Sequence, residues 1–125
     1  MAKVLVIDDD DSVRSFLCRA LGQAGHQAFG AENGRAGMEA ILGTRFHVVI
    51  CDMMMPVQPG TDTIQQIREL DPSLPVIAIS GAFGPDGGSP LIEARALGAD
   101  LALAKPFTIE SLLAAIEEAF DRGIA

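Results

Sequence analysis

Val4-Leu5-Val6-Ile7-Asp8-Asp9-Asp10-Asp11 is the stretch that decides the fold, because an apolar run passes directly into four acidic residues. A short apolar run of this kind is typical of a strand buried in a sheet. Three further apolar runs end in the same way, at Asp52, Ser80 and Lys105. If the four runs are neighbouring parallel strands, their polar ends meet at one edge of the sheet, where open α/β sheets bind ligands.

Helical spacing of apolar residues fills the segments between these runs. The first helix is predicted to end at Gly25 and to bury one stripe, made of Val13, Phe16, Leu17, Ala20, Leu21 and Ala24. Further strands are predicted over residues 26–31, 46–51 and 100–104, and further helices over 35–42, around 64–70, over 90–97 and after the expected N-cap Thr108. Five β-α units without an internal repeat predict an α/β fold with one parallel sheet buried on both faces.

Length and composition favour a single domain over residues 1–125, with no output domain. The formal net charge of -8 disfavours direct binding to nucleic acid, because an acidic surface repels phosphate backbones. No stretch approaches the roughly 18 apolar residues of a membrane span, so we expect no membrane insertion and a cytoplasmic location. Cys18 and Cys51 both lie among apolar residues, and we interpret them as buried hydrophobic side chains rather than as a disulfide or metal ligands.

The polar residues at the strand ends suit a divalent metal ion beside a phosphoryl group. A carboxylate such as Asp52 can act as a nucleophile toward phosphorus. Asp8 and Asp9 offer the hard oxygen ligands that Mg²⁺ prefers, while Lys105 and the Ser80 hydroxyl can each contact a phosphoryl oxygen. A simpler interpretation is that Asp8 and Asp9 cap the first helix. Capping needs one or two acids rather than a run, and it leaves Lys105 without a role.

Several short motifs resemble the receiver domain of response regulators, and the resemblance covers almost the whole chain. The motifs are Val6-Ile7-Asp8-Asp9, Asp52-Met53-Met54-Met55-Pro56 with Gly60, Ala78-Ile79-Ser80, Gly98-Ala99-Asp100 and Lys105-Pro106-Phe107. The chain resembles the stand-alone, single-domain type of this family, as in chemotaxis regulators. The resemblance implies a flavodoxin-like (βα)5 three-layer sandwich, in which the five-stranded parallel sheet has the order 2-1-3-4-5.

The resemblance also implies a mechanism. Asp52 would accept a phosphoryl group from a sensor histidine kinase or a histidine phosphotransfer protein, assisted by Lys105 and Ser80. Mg²⁺ would be bound by Asp9, Asp52 and the backbone carbonyl of Met54, with Asp8 acting through a water molecule. The chain would catalyse only its own phosphoryl transfer and a slow autodephosphorylation, and would otherwise not be an enzyme. A downstream protein would bind the face formed by the helix at 90–97, the fifth strand and the final helix.

Two positions depart from the family pattern. The family's switch aromatic lies three residues before the lysine, where this chain has Ala102, and Gly81 follows the hydroxyl residue. We therefore expect phosphorylation to be signalled by movement of the glycine-rich loop after Ser80. Met54 and Ala82 offer no polar group to an attacking water, which predicts slow loss of the phosphoryl group.

Two other functions stay open on the sequence. Asp8-x-Asp10-x-Ser12-Val13 also resembles the start of haloacid-dehalogenase-like phosphatases, in which Asp8 would be the nucleophile. That interpretation leaves the motif at Asp52 unexplained. The other alternative is a phosphate-independent adapter that only binds proteins, although the full set of phosphorylation residues argues against it.

Overall fold

Five parallel strands form one sheet with helices on both faces in the computed structural model, which describes residues 2–53, 60–80, 98–104 and 107–124. The strands are β1 (Lys3–Ile7), β2 (Gln27–Ala31), β3 (Val48–Asp52), β4 (Val76–Ser80) and β5 (Leu101–Ala104). The helices are α1 (Asp11–Gln23), α2 (Gly34–Gly43), α3 (Gly60–Leu70) and a last helix, Ile109–Ile124. The strand order β2-β1-β3-β4-β5 confirms the predicted flavodoxin-like topology. The helix predicted at 90–97, Met54 and Lys105 lie outside the described residues.

The sheet is buried on both faces, as its apolar strands predict. Every residue of β3 and β4 is buried. On one face, α2 and α3 pack against a core that includes Leu5, Val49 and Ile64. On the other face, α1 and the last helix pack against a second core that includes Val6 and Ile50. Two separate apolar layers therefore hold the strands in place, and the polar strand ends are left at the edge of the sheet.

The predicted stripe on α1 is partly wrong. Leu17 and Leu21 are buried, but the Phe16 side chain is 59% exposed and Ala24 is exposed as well. The stripe that the sequence suggests spans more of the helix surface than the sheet and the last helix cover, so its outer members face solvent. The strand predicted at 46–51 is shifted, because β3 begins at Val48 and includes Asp52.

Helix ends follow the local chemistry of the sequence. The Asp10 side chain accepts hydrogen bonds from the first backbone amides of α1, and Asn33 does the same for α2. The Thr108 hydroxyl accepts a hydrogen bond from the Ser111 amide at 3.0 Å, which confirms Thr108 as the predicted N-cap. Gly25 follows α1 with a φ of 94°, a conformation that glycine adopts without a steric penalty.

Both histidines hold the start of β1. His26 Nδ1 accepts a hydrogen bond from the Ala2 amide at 3.0 Å, and His47 Nδ1 accepts one from the Lys3 amide at 2.8 Å. Burial lowers the pKa of His26, which favours the neutral ring that such an acceptor requires. The two rings therefore serve structural roles at the amino end of β1, opposite the acidic strand ends.

Gly37 lets α2 approach β1 closely, and this contact yields a stability prediction. A Cβ atom at Gly37 would lie 2.9 Å from Ile7 Cγ1, inside the buried core. Alanine gains up to about 1 kcal/mol in helix propensity, but overpacking of a core costs roughly 1 to 3 kcal/mol. We expect Gly37→Ala to lower the free energy of unfolding by about 1 to 2 kcal/mol in urea titrations.

Gly22 provides the matched control, because it lies in α1 and a Cβ there would meet no atom within 4 Å. Gly22→Ala should leave stability unchanged or raise it slightly, through helix propensity alone. Equal effects of the two substitutions would contradict the close approach of Gly37 to Ile7.

Candidate functional site

The strand register brings three of the predicted site residues to one edge of the sheet. Ile7 pairs with Cys51, so Asp8 and Asp52 follow these partners side by side at the carboxyl ends of β1 and β3. Asp52 pairs with Ile79, and Ser80 comes next on β4. The order of the strands, with β1, β3 and β4 as neighbours, creates this juxtaposition. It is the position at which open parallel sheets bind ligands.

Asp8, Asp9 and Asp52 form a cluster of carboxylates. One oxygen from each lies within 4.8 Å of the others. Asp8 is fully buried and Asp52 is 5% exposed, whereas Asp9 is open to solvent. A partly buried set of hard oxygen donors with one open side fits Mg²⁺, which keeps several waters and takes one or two carboxylates from the protein.

Helix capping does not account for these carboxylates. The residue that caps α1 is Asp10, whose Oδ1 accepts hydrogen bonds from Ser12 and Val13 at 2.9 and 3.2 Å. Asp8 Oδ1 instead accepts the Asp10 amide at 2.9 Å, which fixes the turn that leads into the helix. The capping interpretation of Asp8 and Asp9 is therefore wrong, and the acidic run divides into a cap and a cluster.

Ser80 and the end of β5 complete the described part of the site. Ser80 is fully buried, and it pairs in register with Ala104, the last residue of β5. Lys105 follows Ala104 in the sequence but lies outside the described residues, as does Met54 after β3. Their roles as a phosphoryl contact and a metal-binding carbonyl stay predictions.

Arg14 is a residue near the site that the sequence reasoning missed. Its Nη1 donates a hydrogen bond to the backbone carbonyl of Asp8 at 2.8 Å, and its Nη2 forms an ion pair with Asp11. The spacing of Asp11 and Arg14, three residues apart on a helix, is a signal that can be read from sequence. The contact to the Asp8 carbonyl cannot be read that way, because it depends on how α1 leaves the turn.

Cys51 lies directly beside the cluster but does not suit a metal. Burial, together with the neighbouring carboxylates of Asp52 and Asp8, raises the pKa of the Cys51 thiol far above its usual range. A thiol must lose its proton to bind a metal or to attack a substrate. Cys51 therefore stays a neutral, buried core residue, as the apolar pattern predicts, whereas Cys18 is only half-buried. Neither cysteine forms a disulfide.

A cleft of about 580 Å³ lies at the amino ends of the strands, opposite the carboxylate cluster. It is lined by residues that precede β3 and β4 and by the last helix, among them Phe46, His47, Pro75 and Phe120. The carboxylate cluster lies at the other end of the same strands, so the cleft is not part of the candidate site.

A family model of the response regulator receiver domain matches residues 4–117. The response regulator receiver protein CpdR of Brucella abortus is 30% identical over 122 residues, covering 94% of this chain and 96% of that protein. Response regulator MprA of Mycolicibacterium vanbaalenii is 35% identical over 112 residues, covering 90% of this chain but 47% of that protein. The chain thus spans about half the length of the MprA relative and nearly all of CpdR.

Solved structures show the same similarity. The receiver domain of the Francisella response regulator 1452 has a TM-score of 0.87 and 28% identity, with 98% of each chain covered. Chemotaxis protein CheY4 of Vibrio cholerae has a TM-score of 0.85 and 31% identity, with 95% of this chain and 98% of that chain covered. Within the described residues, no helix is both long and apolar enough to cross a membrane. The family match over nearly the whole length, together with this fold, shows that the chain belongs to the response regulator receiver domains of two-component systems.

Proposed function

We propose that this receiver domain is a phosphorylation switch in which Asp52 accepts a phosphoryl group in a Mg²⁺-dependent reaction. The observation that carries the proposal is the cluster of Asp8, Asp9 and Asp52 at the carboxyl ends of β1 and β3. Of the three, Asp52 alone lies on the strand that pairs with both of the other site strands, β1 on one side and β4, which carries Ser80, on the other. This position gives an incoming phosphoryl group both a nucleophile and a hydrogen-bond donor.

The reaction is a transfer from a phosphohistidine to a carboxylate. A carboxylate oxygen of Asp52 forms a new bond to phosphorus, while the bond between phosphorus and the donor imidazole nitrogen breaks and the imidazole leaves with the bond's electron pair. Two anionic groups must meet in this step, so positive charge is needed around them. Lys105 would supply part of that charge, and the Ser80 hydroxyl would donate to a phosphoryl oxygen.

Mg²⁺, when bound, neutralises charge on the phosphoryl oxygens and so lowers the cost of the anionic approach. Asp9, Asp52 and the Met54 carbonyl would hold the ion directly, and the buried Asp8 would act through a bound water. The chemistry of the donor set supports this assignment, because all the side-chain ligands are oxygens.

The proposed donor is a sensor histidine kinase or a histidine phosphotransfer protein. We propose that residues 1–125 act as a single receiver domain and pass the signal to a downstream protein. The face for that protein would include β5 and the last helix, together with the segment at 90–97. Ala102 on β5 is half-buried and carries no ring, so a loop movement after Ser80 would replace an aromatic switch. Slow autodephosphorylation is the only hydrolytic activity that we expect of this domain.

The test is intact mass after incubation with Mg²⁺ and phosphoramidate, a small donor with a phosphorus–nitrogen bond. The native chain should gain one phosphoryl group, and Asp52→Asn should gain none. Asp71→Asn is the matched control, because Asp71 lies at the opposite edge of the sheet, where its carboxylate accepts hydrogen bonds from Ser73. It should be phosphorylated like the native chain.

Two results would redirect the assignment. An adduct that survives in Asp52→Asn and disappears in Asp8→Asn would make Asp8 the nucleophile, as in the phosphatase alternative. No adduct on the native chain, even with a panel of purified histidine kinases as donors, would favour the phosphate-independent adapter.

A further inference from the structure

We propose that Arg14 is a positioning residue for the candidate Mg²⁺ site, because it fixes the Asp8–Asp9 peptide before the metal arrives. This inference rests on the proposed function, since it concerns the same metal. It assigns to Arg14 a role that acts through the backbone rather than by contact with metal or phosphate.

The Arg14 side chain bridges two points of the acidic run. Its Nη1 donates to the Asp8 carbonyl oxygen at 2.8 Å, and its Nη2 pairs with the Asp11 carboxylate. The arginine side chain is only 20% exposed, whereas the Asp11 side chain is 83% exposed. A side chain that is largely covered and makes two charge-assisted contacts has a defined geometry.

Arg14 completes a pair of restraints on both sides of Asp9. The peptide group before Asp9 is held by the bond from Arg14 to the Asp8 carbonyl. The peptide group after Asp9 is held by the hydrogen bond that its N–H, the Asp10 amide, donates to Asp8 Oδ1 at 2.9 Å. Asp9 itself is exposed, so packing of its side chain contributes little to its position. The two hydrogen bonds therefore set the direction in which the Asp9 carboxylate leaves the backbone.

Gly30 on β2 gives the Arg14 side chain its path. A Cβ atom at Gly30 would lie 2.9 Å from Arg14 Cδ and 3.1 Å from Arg14 Cγ. Because Gly30 has no side chain, the arginine can run across the edge strand and reach the Asp8 carbonyl. Alanine at this position would displace the Arg14 side chain without removing its charge. The substitution therefore separates the effect of the position of Arg14 from the effect of its charge.

Those two effects have opposite signs. As a cation near the cluster, Arg14 would repel Mg²⁺, so its removal would tighten binding. As a positioning group, it holds a ligand in place, and loss of such outer contacts typically weakens metal binding about 10- to 100-fold. Its charge is already paired with Asp11, so we expect positioning to be the larger effect.

The experiment measures the dissociation constant of Mg²⁺ by calorimetry on the unphosphorylated chain. Arg14→Lys keeps the charge but cannot bridge both partners, and we expect it to weaken Mg²⁺ binding about ten-fold. Gly30→Ala should weaken binding several-fold. The double variant should bind no worse than Arg14→Lys alone, because both changes disrupt the same contact. The Asp9 amide resonance should shift in both single variants without metal.

Arg68→Lys is the matched control. Arg68 is another arginine that donates to backbone carbonyls, but at the opposite edge of the sheet. It should reduce thermal stability and leave the Mg²⁺ affinity unchanged. This separates a loss of positioning from a general loss of stability.

Each outcome decides between the proposals. A native chain that fails to bind Mg²⁺ would remove the metal from the proposed function itself. Native binding with equal affinity in Arg14→Lys and Gly30→Ala would overturn the positioning role and leave the proposed function intact. Tighter binding by the charge-removing variant Arg14→Met would show that Arg14 acts only as a repelling charge. Additive losses in the double variant would show that Gly30 acts independently of Arg14.

Discussion

Asp8→Asn is expected to raise the free energy of unfolding of the metal-free protein by about 1 to 3 kcal/mol, while weakening Mg²⁺ binding at least about ten-fold. Most substitutions of a fully buried residue destabilise a protein. The opposite sign is expected here because the buried Asp8 carboxylate lies beside two others of the same charge. The repulsion between these carboxylates lowers the stability of the metal-free fold, and the same carboxylates form the proposed metal site.

The size of the effect follows from the distances within the cluster. Two unit charges 4.8 Å apart repel by roughly 1 kcal/mol in water and by roughly 3 kcal/mol at a partly buried site. Asparagine removes the Asp8 charge but keeps an oxygen that can accept the Asp10 amide. The turn into α1 is therefore retained, while repulsion with Asp9 and Asp52 is relieved. A carboxylate accepts hydrogen bonds more strongly than an amide oxygen does, and this difference offsets part of the gain.

Thermal unfolding with and without Mg²⁺ measures both halves of this prediction. The melting temperature of metal-free Asp8→Asn should exceed that of the native chain by several degrees. Added Mg²⁺ should raise the native melting temperature and change that of the variant little, because a ligand stabilises only the state that binds it.

Glu39→Gln is the control for overall charge, because Glu39 is an exposed acid on α2 and the chain carries a formal net charge of -8. It should change neither the melting temperature nor the response to Mg²⁺. A metal-free Asp8→Asn that melts below the native chain would show that its other contacts outweigh the repulsion, and would contradict the prediction.

The parts of the site that are local in sequence were predictable. Asp8, Asp52 and Ser80 follow short apolar runs, and a parallel sheet brings strand ends together whatever the details of packing. The Thr108 cap and the stop at Gly25 depend on their own neighbourhoods, so the sequence was sufficient for them too. The strand order came from the resemblance to receiver domains rather than from periodicity.

The contacts that were missed are those that depend on tertiary geometry. From sequence, Arg14 resembles any charged residue on a helix surface. Only the folded turn places the Asp8 carbonyl oxygen 2.8 Å from its Nη1. Phe16 fits a buried stripe by spacing, yet it is 59% exposed, because no described element covers that side of α1. Asp10 and Asp8 carry the same side chain, and only the backbone path decides which of them caps the helix.

The sequence predicted no tertiary contact for the Gly98-Ala99-Asp100 motif, and Arg68 provides one. Arg68 Nε donates to the Gly98 carbonyl at 2.7 Å, and its Nη1 donates to the Leu74 carbonyl at 2.5 Å. Its Nη2 pairs with Asp100 Oδ2 at 2.7 Å, and that oxygen also accepts the Val76 amide at 2.8 Å. One guanidinium thus joins the end of α3 to the starts of β4 and β5.

Arg68→Met is therefore expected to lower the free energy of unfolding by about 2 to 4 kcal/mol. Methionine keeps much of the apolar stem that packs beside Gly98, so the loss reports on the hydrogen bonds and the ion pair. The Arg68 and Asp100 side chains are 18% and 31% exposed, which places the pair between a surface and a buried ion pair and keeps the estimate below the largest losses known for buried pairs.

Urea titration of Arg68→Met, Asp100→Asn and the double variant measures this loss and its coupling. The double variant should be more stable than the sum of the single losses predicts, because Arg68 and Asp100 interact directly. The affinity for Mg²⁺ should equal that of the native chain, because these contacts lie at the starts of β4 and β5, whereas Asp52 lies at the carboxyl end of β3. A loss below about 0.5 kcal/mol in Arg68→Met would mean that the network behaves like an exposed surface ion pair and does not anchor the sheet.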